Sequence, residues 1–438
     1  MLRQASAAGR YYPASKEKIR SVITPMEVKG IAKERYLGAV MPHAGYPYSG
    51  GVAMAVASRL DLPETAIILG PSHTGIGAEY AIMASGIWQT PMGEVEIDSP
   101  LAHSIMKYCR HIKADPSAHQ YEHSVEVQIP ILQYFKPDIK IVPITVSFGK
   151  SETLADIGYG IASALRETRR EAIIIASSDM THYESQADAH LKDSLALDAI
   201  IKLDAAEMLE RIQANHITMC GYAPVAAMLT AVKELGAKRA RVVAYQTSGD
   251  ITHHLDQVVG YAGLVIEQTE ESAQVTLARA AVEAFVKEKK VITPLVELAA
   301  ELSGEAGVFV SLKKLGELRG CIGTFEAHFD NIADEIVSNA VSSAARDPRF
   351  EPVAEWELPL LSYSVDVLTP PQPVEDTNSL DAKKYGVIVE SGHLRGLLLP
   401  DLEGVDTPSE QISICRQKAG ITADAPVKLY RFEVKRYH

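Results

Sequence analysis

Two patterns of apolar residues alternate along the first part of the chain. Runs rich in β-branched and other apolar residues occur at 36–42, 66–71, 140–146, 171–179, 241–246 and 257–266. Several of these runs are continuously apolar, which is typical of central strands covered on both faces. Helix-like segments lie between them at 51–60, 99–109 and 124–135. Strands that alternate with helices predict an α/β layer fold, with a mostly parallel sheet and flanking helices.

A change of pattern after this region predicts a second domain. Residues 267–274, EQTEESAQ, are polar and acidic, which is typical of a linker. An amphipathic helix is predicted at 277–290, then strands at 308–314, 360–368, 385–390, 394–400 and 427–437, with helices near 328–345 and 406–419. This order predicts an α+β domain with an antiparallel sheet. We therefore predict two domains of different class, over residues 1–268 and 275–438.

Length, composition and charge agree with two globular domains and exclude some partners. The chain has 438 residues, more than one ordinary core holds, with 47% apolar and 23% charged residues. Its net charge of -13 disfavours nucleic acid as a partner, because phosphate binding needs clustered Lys and Arg. The chain has no apolar leader and no apolar run long enough to span a bilayer, so we expect a cytoplasmic protein without a membrane partner.

Polar side chains capable of chemistry follow directly on three of the predicted strands. His43 follows GAVMP, His73 follows AIILGP, and Asp179 and His182 follow AIIIASS. In open α/β sheets, ligands bind beyond the carboxyl ends of the strands. Histidine is the commonest metal ligand and transfers protons near neutral pH. The sequence therefore indicates a site where these residues converge.

Other interpretations of these residues stay open at this point. Each histidine could instead cap a helix or satisfy a buried carbonyl, and Asp179 could be a helix N-cap. Glycines flank His43 and His73 and could form a phosphate cradle, but neither common phosphate-loop motif is present. The absence of H-E-x-x-H argues against the common zinc-protease arrangement.

Cys220 is one of four widely spaced cysteines, none of which forms a Cys-x-x-Cys pair. A disulfide framework is therefore not expected. Cys220 lies just before a predicted helix, whose dipole is expected to lower the thiol pKa and make a thiolate available as metal ligand or nucleophile. The competing interpretation is a buried, inert thiol.

These residues, in this order, resemble the Memo family. The matching segments are ASAAGRYYP (5–13), MPHAGYPYSG (41–50), ILGPSHTG (68–75), EHSVEVQIP (122–130), SSDMTHY (177–183), CGYAP (220–224) and VVGYAG (258–263). The resemblance implies the fold of class III extradiol dioxygenases, which are non-haem Fe(II) enzymes. It also implies roles for seven residues: His43, His73 and Cys220 as ligands of a single metal ion, His182 as acid or base with Asp179 close by, and His123 and Tyr48 as residues lining the same cleft.

One departure from the dioxygenases affects the expected metal. Those enzymes hold iron with two His and one carboxylate, whereas Memo-like proteins have a Cys in place of the carboxylate. A thiolate is a softer ligand, so Fe(II) and copper are the expected metals and zinc is the further candidate. A thiolate is also oxidisable, which conflicts with repeated oxygen chemistry.

The second domain resembles the AMMECR family. The matching segments are LRGCIG (318–323), AARDPRF (344–350), GLLLP (396–400) and SICRQKAG (413–420). Proteins of this pair occur fused, or encoded beside a radical SAM enzyme, in a grouping named after all three, which implies a radical SAM protein as partner. From the residues alone, 319–323 predicts a turn that either exposes Arg319 beside a reactive Cys321 or buries the thiol in a structural turn.

Three functions remain as hypotheses. The first is a metal-dependent, dioxygenase-like enzyme acting on a small enolate or diol, with His182 transferring the substrate proton. The second is a copper- or iron-binding protein without turnover that handles redox or docks a partner. The third is a Cys hydrolase with Cys220 as nucleophile and His182 as base. The third leaves His43 and His73 without a role.

Overall fold

The chain folds into two compact units, residues 1–270 and 271–438. The structure is a computed structural model that describes residues 1–294, 300–402 and 404–438. Among these residues, no helix combines the length and apolar character needed to cross a membrane.

The first unit contains the following helices and strands. They are β1 (Leu2–Arg3), α1 (Lys16–Ile23), β2 (Gly38–Met41), α2 (Tyr46–Ala57), β3 (Thr65–Gly70), β4 (Tyr80–Ile82), β5 (Ile87–Thr90), β6 (Gly93–Glu96), α3 (Ser99–Tyr108), β7 (Lys113–Ala114), α4 (Gln128–Phe135), β8 (Lys140–Val146), α5 (Ser151–Thr168), β9 (Ala172–Ser177), β10 (His182–Glu184), α6 (Gln186–Ile201), α7 (Ala205–Ala214), α8 (Tyr222–Glu234), β11 (Arg239–Thr247), α9 (Gly249–Thr252) and β12 (Val258–Glu267).

A nine-stranded sheet forms the centre of this unit. Its order is β10-β12-β2-β9-β3-β8-β4-β7, with β11 pairing with β12. The four central strands β2, β9, β3 and β8 are parallel, as predicted. Strands β12, β11 and β10 pair antiparallel with their neighbours, and β4 pairs antiparallel with β8 but parallel with β7, so the sheet as a whole is mixed. The predicted parallel arrangement thus holds for the centre of the sheet, where the apolar runs are continuous.

Helices cover the central strands and explain their burial. Every residue of β2 and β3 is buried, as expected when both faces of a strand are covered. One group of helices includes α2 and α4, and a second includes α5 and α8, with α8 contacting β2, β3, β8 and β9. Helix α4 begins at Gln128 rather than at 124, and the side chains of Glu122, Ser124 and Glu126 before it hydrogen bond with distant parts of the chain.

The second unit contains two antiparallel sheets. Its elements are α10 (Ala273–Glu288), β13 (Val308–Lys314), β14 (Glu317–Gly323), α11 (Ile332–Ala345), β15 (Leu361–Leu368), β16 (Gln372–Val374), β17 (Gly386–Ser391), β18 (Leu394–Leu398), α12 (Pro408–Ala419), β19 (Lys428–Phe432) and β20 (Val434–Tyr437). Within the described part of this unit, the sheet orders are β14-β13-β15-β20 and β16-β19-β17-β18. The predicted α+β class is confirmed.

The segment 319–323 is a strand and not the predicted turn. It belongs to β14, which pairs antiparallel with β13. A Cβ atom on Gly320 would lie 2.1 Å from the Ser343 carbonyl oxygen, so glycine is needed there for the close approach of α11. The Arg319 side chain is 15% exposed and forms two hydrogen bonds with the Glu357 carboxylate. The guanidinium is therefore paired rather than offered to an anion.

A buried ion pair ties the N-terminus to the segment before α4. Arg3 Nη1 lies 2.6 Å from Glu126 Oε2, and both side chains are almost fully buried. The same guanidinium donates to the carbonyl oxygens of His119 and Glu122 and lies 3.9 Å from the centre of the Trp88 ring. Burial raises the pKa of Glu126, but Arg3 and other hydrogen-bond donors outweigh burial and lower it below its ordinary value.

We expect Glu126→Ala to lower the free energy of unfolding by about 3–5 kcal/mol, because it leaves the buried Arg3 charge without its carboxylate. Chemical denaturation followed by circular dichroism measures this change. The matched control is Asp61→Ala, which removes the carboxylate of the exposed pair with Arg35. The control substitution should lower the free energy of unfolding by about 1 kcal/mol or less. Equal losses for the two variants would contradict a structural role of the buried pair.

Candidate functional site

The strand-end residues predicted from the sequence lie at one edge of the central sheet. Strands β2, β9 and β3 are adjacent and parallel, so their carboxyl ends meet at this edge. His43 follows β2, His73 follows β3 and Asp179 follows β9, each within three residues of the strand end. The ring centroids of His43 and His73 are 5.2 Å apart. The predicted convergence of these side chains is therefore present.

Hydrogen bonds determine which nitrogen of the His43 ring carries the hydrogen. Its Nδ1 lies 2.9 Å from Ser177 Oγ. That hydroxyl donates its single hydrogen to the Ser124 carbonyl oxygen and accepts from Gln128 Nε2. It must therefore accept the hydrogen on His43 Nδ1 as well, which leaves Nε2 with a free lone pair. Burial, and then the neighbouring histidines, lower the His43 pKa well below its ordinary value, so the ring is neutral.

Glu122 orients His73 in a similar way. His73 Nδ1 lies 3.0 Å from Glu122 Oε1, and the His73 backbone N–H donates to Oε2 at 2.6 Å. Burial alone would raise the pKa of Glu122, but these bonds and that from the Ser124 backbone lower it to about 2. An ionised carboxylate holding Nδ1–H turns Nε2 outward as an acceptor, the arrangement found behind metal-bound histidines.

Cys220 completes a set of three convergent donor atoms. Its Sγ lies 3.3 Å from His43 Nε2, and the sulfur accepts the Asp179 backbone N–H at 3.3 Å. One donor atom from each of His43, His73 and Cys220 lies within 4.8 Å of the other two. Two nitrogens and one sulfur at these separations form a donor set that suits transition metals.

The thiol of Cys220 differs from the sequence-based prediction. It lies just before α8, as predicted, with Gly221 as the helix N-cap. However, burial, and secondly the Asp179 carboxylate, raise the Cys220 pKa above its ordinary value, so the predicted lowering by the helix dipole is wrong. The physical reason is that removing a thiolate from water costs more than the helix terminus returns.

Asp179 and His182 lie on the other side of Cys220. Asp179, His182 and Cys220 also place one donor atom each within 4.8 Å of one another. Burial raises the pKa of Asp179 to about 6, although the His43 backbone N–H counteracts it. His182 Nδ1 lies 2.9 Å from the Thr218 carbonyl oxygen. Because a carbonyl oxygen can only accept a hydrogen bond, Nδ1 carries the ring hydrogen. His182 Nε2 is therefore the acceptor nitrogen.

His123 lies in the site, whereas Tyr48 does not line it. The His123 ring stacks between Tyr11 and His73, with ring centroids 4.1 and 4.6 Å away. Tyr48 is 44% exposed and is not among the residues that line the cleft. Tyr46, two residues earlier on α2, is buried, and its hydroxyl donates to the Val127 carbonyl. Tyr48 is nevertheless near enough to act electrostatically on Tyr261, which lines the cleft, so Tyr48 lies at the edge of the site.

The site opens into a cleft with an accessible volume of about 470 Å³. His43, His73 and Cys220 lie in its wall, together with Tyr11 and Tyr261, which the sequence reasoning missed. Glu122, Gln128 and Ser177 were also missed as supports of the histidines. The signal that could have identified Gln128 is its polar character within the largely apolar run 125–132. Nothing in the spacing indicated the tyrosines.

Two family models match separate regions of this chain. The family model described as Memo-like protein matches residues 3–265, and the one described as AMMECR1 matches residues 275–437. A protein named MEMO1 family protein from Methanococcoides burtonii is 42% identical over 268 residues, which is 61% of this chain and 100% of that protein. A second, from Methanocaldococcus jannaschii, is 39% identical over 61% of this chain and 99% of its own length. A crystal structure of an uncharacterized Pyrococcus horikoshii protein is similar at 34% identity, covering 37% of this chain and 88% of that one with a TM-score of 0.34.

We expect Glu122→Gln to weaken Zn(II) binding by about 10–100-fold while the protein stays folded. The amide keeps the size of the side chain but removes the charge that holds His73 Nδ1–H. Competition with a chromophoric chelator measures the affinity. The control is Glu79→Gln, at an exposed carboxylate outside this cleft. Unchanged zinc affinity in Glu122→Gln would contradict the role given to Glu122.

Proposed function

The chain belongs to the family of Memo-like proteins, and from this premise we propose that its first unit binds one metal ion through His43, His73 and Cys220. The observation that supports this proposal is the convergence of three donor atoms from separate loops within 4.8 Å. Hydrogen bonds behind His43 and His73 leave the inward nitrogens free to bind. Metal-binding histidines almost always donate their other ring N–H to a partner of this kind.

The donor set fits a metal ion by distance as well as by type. Nitrogen and sulfur ligands of one tetrahedral ion are roughly 3.5 Å apart, given bond lengths of about 2.0 and 2.3 Å. His43 Nε2 and Cys220 Sγ are 3.3 Å apart. A bound cation would also offset the burial that holds the proton on the Cys220 thiol, because metal coordination deprotonates thiols. The buried thiol is therefore consistent with a ligand whose charge the ion balances.

We further propose that the site performs dioxygenase-like chemistry on a small enolate or diol. The metal, when bound, would act as a Lewis acid on the substrate oxygens. His182 Nε2 would accept the substrate proton, since the Thr218 carbonyl holds the other ring nitrogen protonated. The Tyr11 ring, which is stacked on His123, forms an aromatic wall of the cleft, against which a planar substrate would pack.

The thiolate ligand favours a second candidate function. Cysteine is a soft ligand that suits copper and can itself be oxidised, in contrast to the carboxylate of the dioxygenases. In this alternative the site binds copper or iron without turnover, and the AMMECR domain docks a partner such as a radical SAM protein. Iron and copper are the metals that we place first, followed by zinc.

The Cys hydrolase hypothesis ranks last. A nucleophilic Cys needs a lowered pKa or an adjacent base, but burial raises the Cys220 pKa. The imidazole nitrogen within hydrogen-bonding distance of its sulfur belongs to His43 and not to the proposed base His182. Hydrolysis would also give His73 and its buried carboxylate partner no role.

The first test is an anaerobic titration of the purified protein with Fe(II), Cu(I) and Zn(II). We expect one equivalent to bind tightly, and His43→Ala or Cys220→Ala to weaken binding at least about 100-fold, because each removes one of three ligands. Matched controls are His103→Ala, at an exposed histidine on α3, and Cys321→Ala, in the second unit. Binding that survives in both site variants would contradict the metal centre.

The second test separates chemistry from metal binding. His182→Ala should keep one equivalent of Fe(II) but lose at least about 100-fold in oxygen consumption with catechols and enolisable diketones, because it lacks the proton acceptor. Oxygen uptake and bound iron are measured on the same samples, with His103→Ala as control. Tight metal binding without oxygen uptake by the unmodified protein would favour the function without turnover.

A further inference from the structure

A second cavity adjoins the proposed metal centre. Its accessible volume is about 290 Å³, and His73 and Cys220 line both this cavity and the larger cleft. Two of the three proposed ligands therefore form the boundary between the two spaces. A molecule bound at the metal centre has room to extend into either one.

The two spaces differ in chemical character. The larger cleft contains Asp179, His182 and His123. The second cavity, called the apolar chamber here, is lined by Pro71, Val146, Phe148, Tyr222 and Ala223 together with two serines and the shared ligands. None of its described lining residues is an Asp, Glu, Lys or Arg. It is therefore suited to an apolar group without charge.

The walls of the apolar chamber are held in place before any ligand binds. The Tyr80 hydroxyl donates to the Phe148 carbonyl oxygen at 2.8 Å. A Cβ atom on Gly149 would lie 2.9 Å from the Tyr80 hydroxyl, so the loop packs closely on that side chain. A wall fixed by such contacts loses little entropy when a ligand binds.

The side chain of Phe148 is highly exposed for an aromatic residue that lines a cavity. It is 81% exposed although its backbone is fixed, which leaves a large apolar ring in water at the edge of the chamber. A ligand that covers this ring removes apolar surface from water on both partners. The size of the chamber is sufficient, because a cavity of about 150 Å³ already holds benzene.

We propose that the apolar chamber binds an aromatic ring, or an apolar group of similar size, that is attached to the polar head bound at the metal centre. This inference rests on the proposed function, and it assigns that site a class of substrate: a small molecule with two parts, one chelating and one apolar. Phe148 and Val146 determine the preference for the apolar part. The larger cleft then receives the groups that exchange protons with His182.

The test compares two ligands with the same chelating head, acetohydroxamate and benzohydroxamate, on the zinc-loaded full chain. Zinc is used because it undergoes no redox change. We expect benzohydroxamate to bind about tenfold more tightly than acetohydroxamate, and the ratio to fall to about threefold or less in Phe148→Ala. The control is Tyr159→Ala, which removes a 50% exposed aromatic ring from α5 outside both cavities.

A second measurement is independent of the metal. Metal-free protein is titrated with benzamide while the Val146 methyl resonances are followed by NMR. Ring-current shifts that weaken in Phe148→Ala and persist in Tyr159→Ala support the chamber. Equal hydroxamate affinities in zinc-loaded protein, or no Val146 shift at saturating benzamide, overturn it. Absent zinc binding with a clear Val146 shift would instead overturn the metal centre and leave the chamber in place.

Discussion

One buried carboxylate joins the loops on which the site depends. Asp179 Oδ1 accepts the backbone N–H of His43 at 2.8 Å and that of Ala44 at 3.3 Å, so the loop after β2 is tied to the loop after β9. The backbone N–H of the same residue donates to Cys220 Sγ, which lies just before α8. Burying a carboxylate is costly and raises its pKa to about 6. The two backbone donors from the loop after β2 offset part of that cost, and the resulting bonds join the two loops.

The sequence allowed the fold of the first unit and the centre of its site to be predicted, for a specific reason. Continuous apolar runs identify buried strands, and the carboxyl ends of parallel strands meet at one edge. His43, His73 and Asp179 could therefore be placed together without coordinates. The tyrosines of the cleft and the support from Glu122 follow from tertiary packing, which has no periodic signal. Tyr48 shows the same limit, because it lies exposed at the edge of the cleft and the sequence pattern did not reveal that position.

Cys220 and the segment 319–323 show where local reasoning fails. The helix terminus beside Cys220 was expected to lower the thiol pKa, but removing the thiolate from water at this buried position raises that pKa instead. At Gly320 and Gly323 the glycines indicated a turn, whereas they serve close packing: a Cβ on Gly323 would lie 2.2 Å from the Phe309 ring on the paired strand. In both cases the sequence identified the residues that matter. It did not show their surroundings, because distant parts of the chain bury Cys220 and pack against the two glycines.

The backbone around His182 explains how that side chain reaches the cleft. Strand β10 pairs with β12 through an irregular register between His182 and Glu184. Such bulges re-aim side chains, and they occur preferentially near functional sites. Tyr183, between them, has φ of 60°, a conformation that costs a residue with a Cβ about 1–3 kcal/mol. The buried Asp193 carboxylate stabilises this distorted segment, because its Oδ1 accepts a hydrogen bond from the Thr181 backbone N–H at 2.9 Å. Pairing of β10 with β12 alone does not require a strained bulge or a buried carboxylate. We therefore attribute the bulge to the orientation that it gives His182.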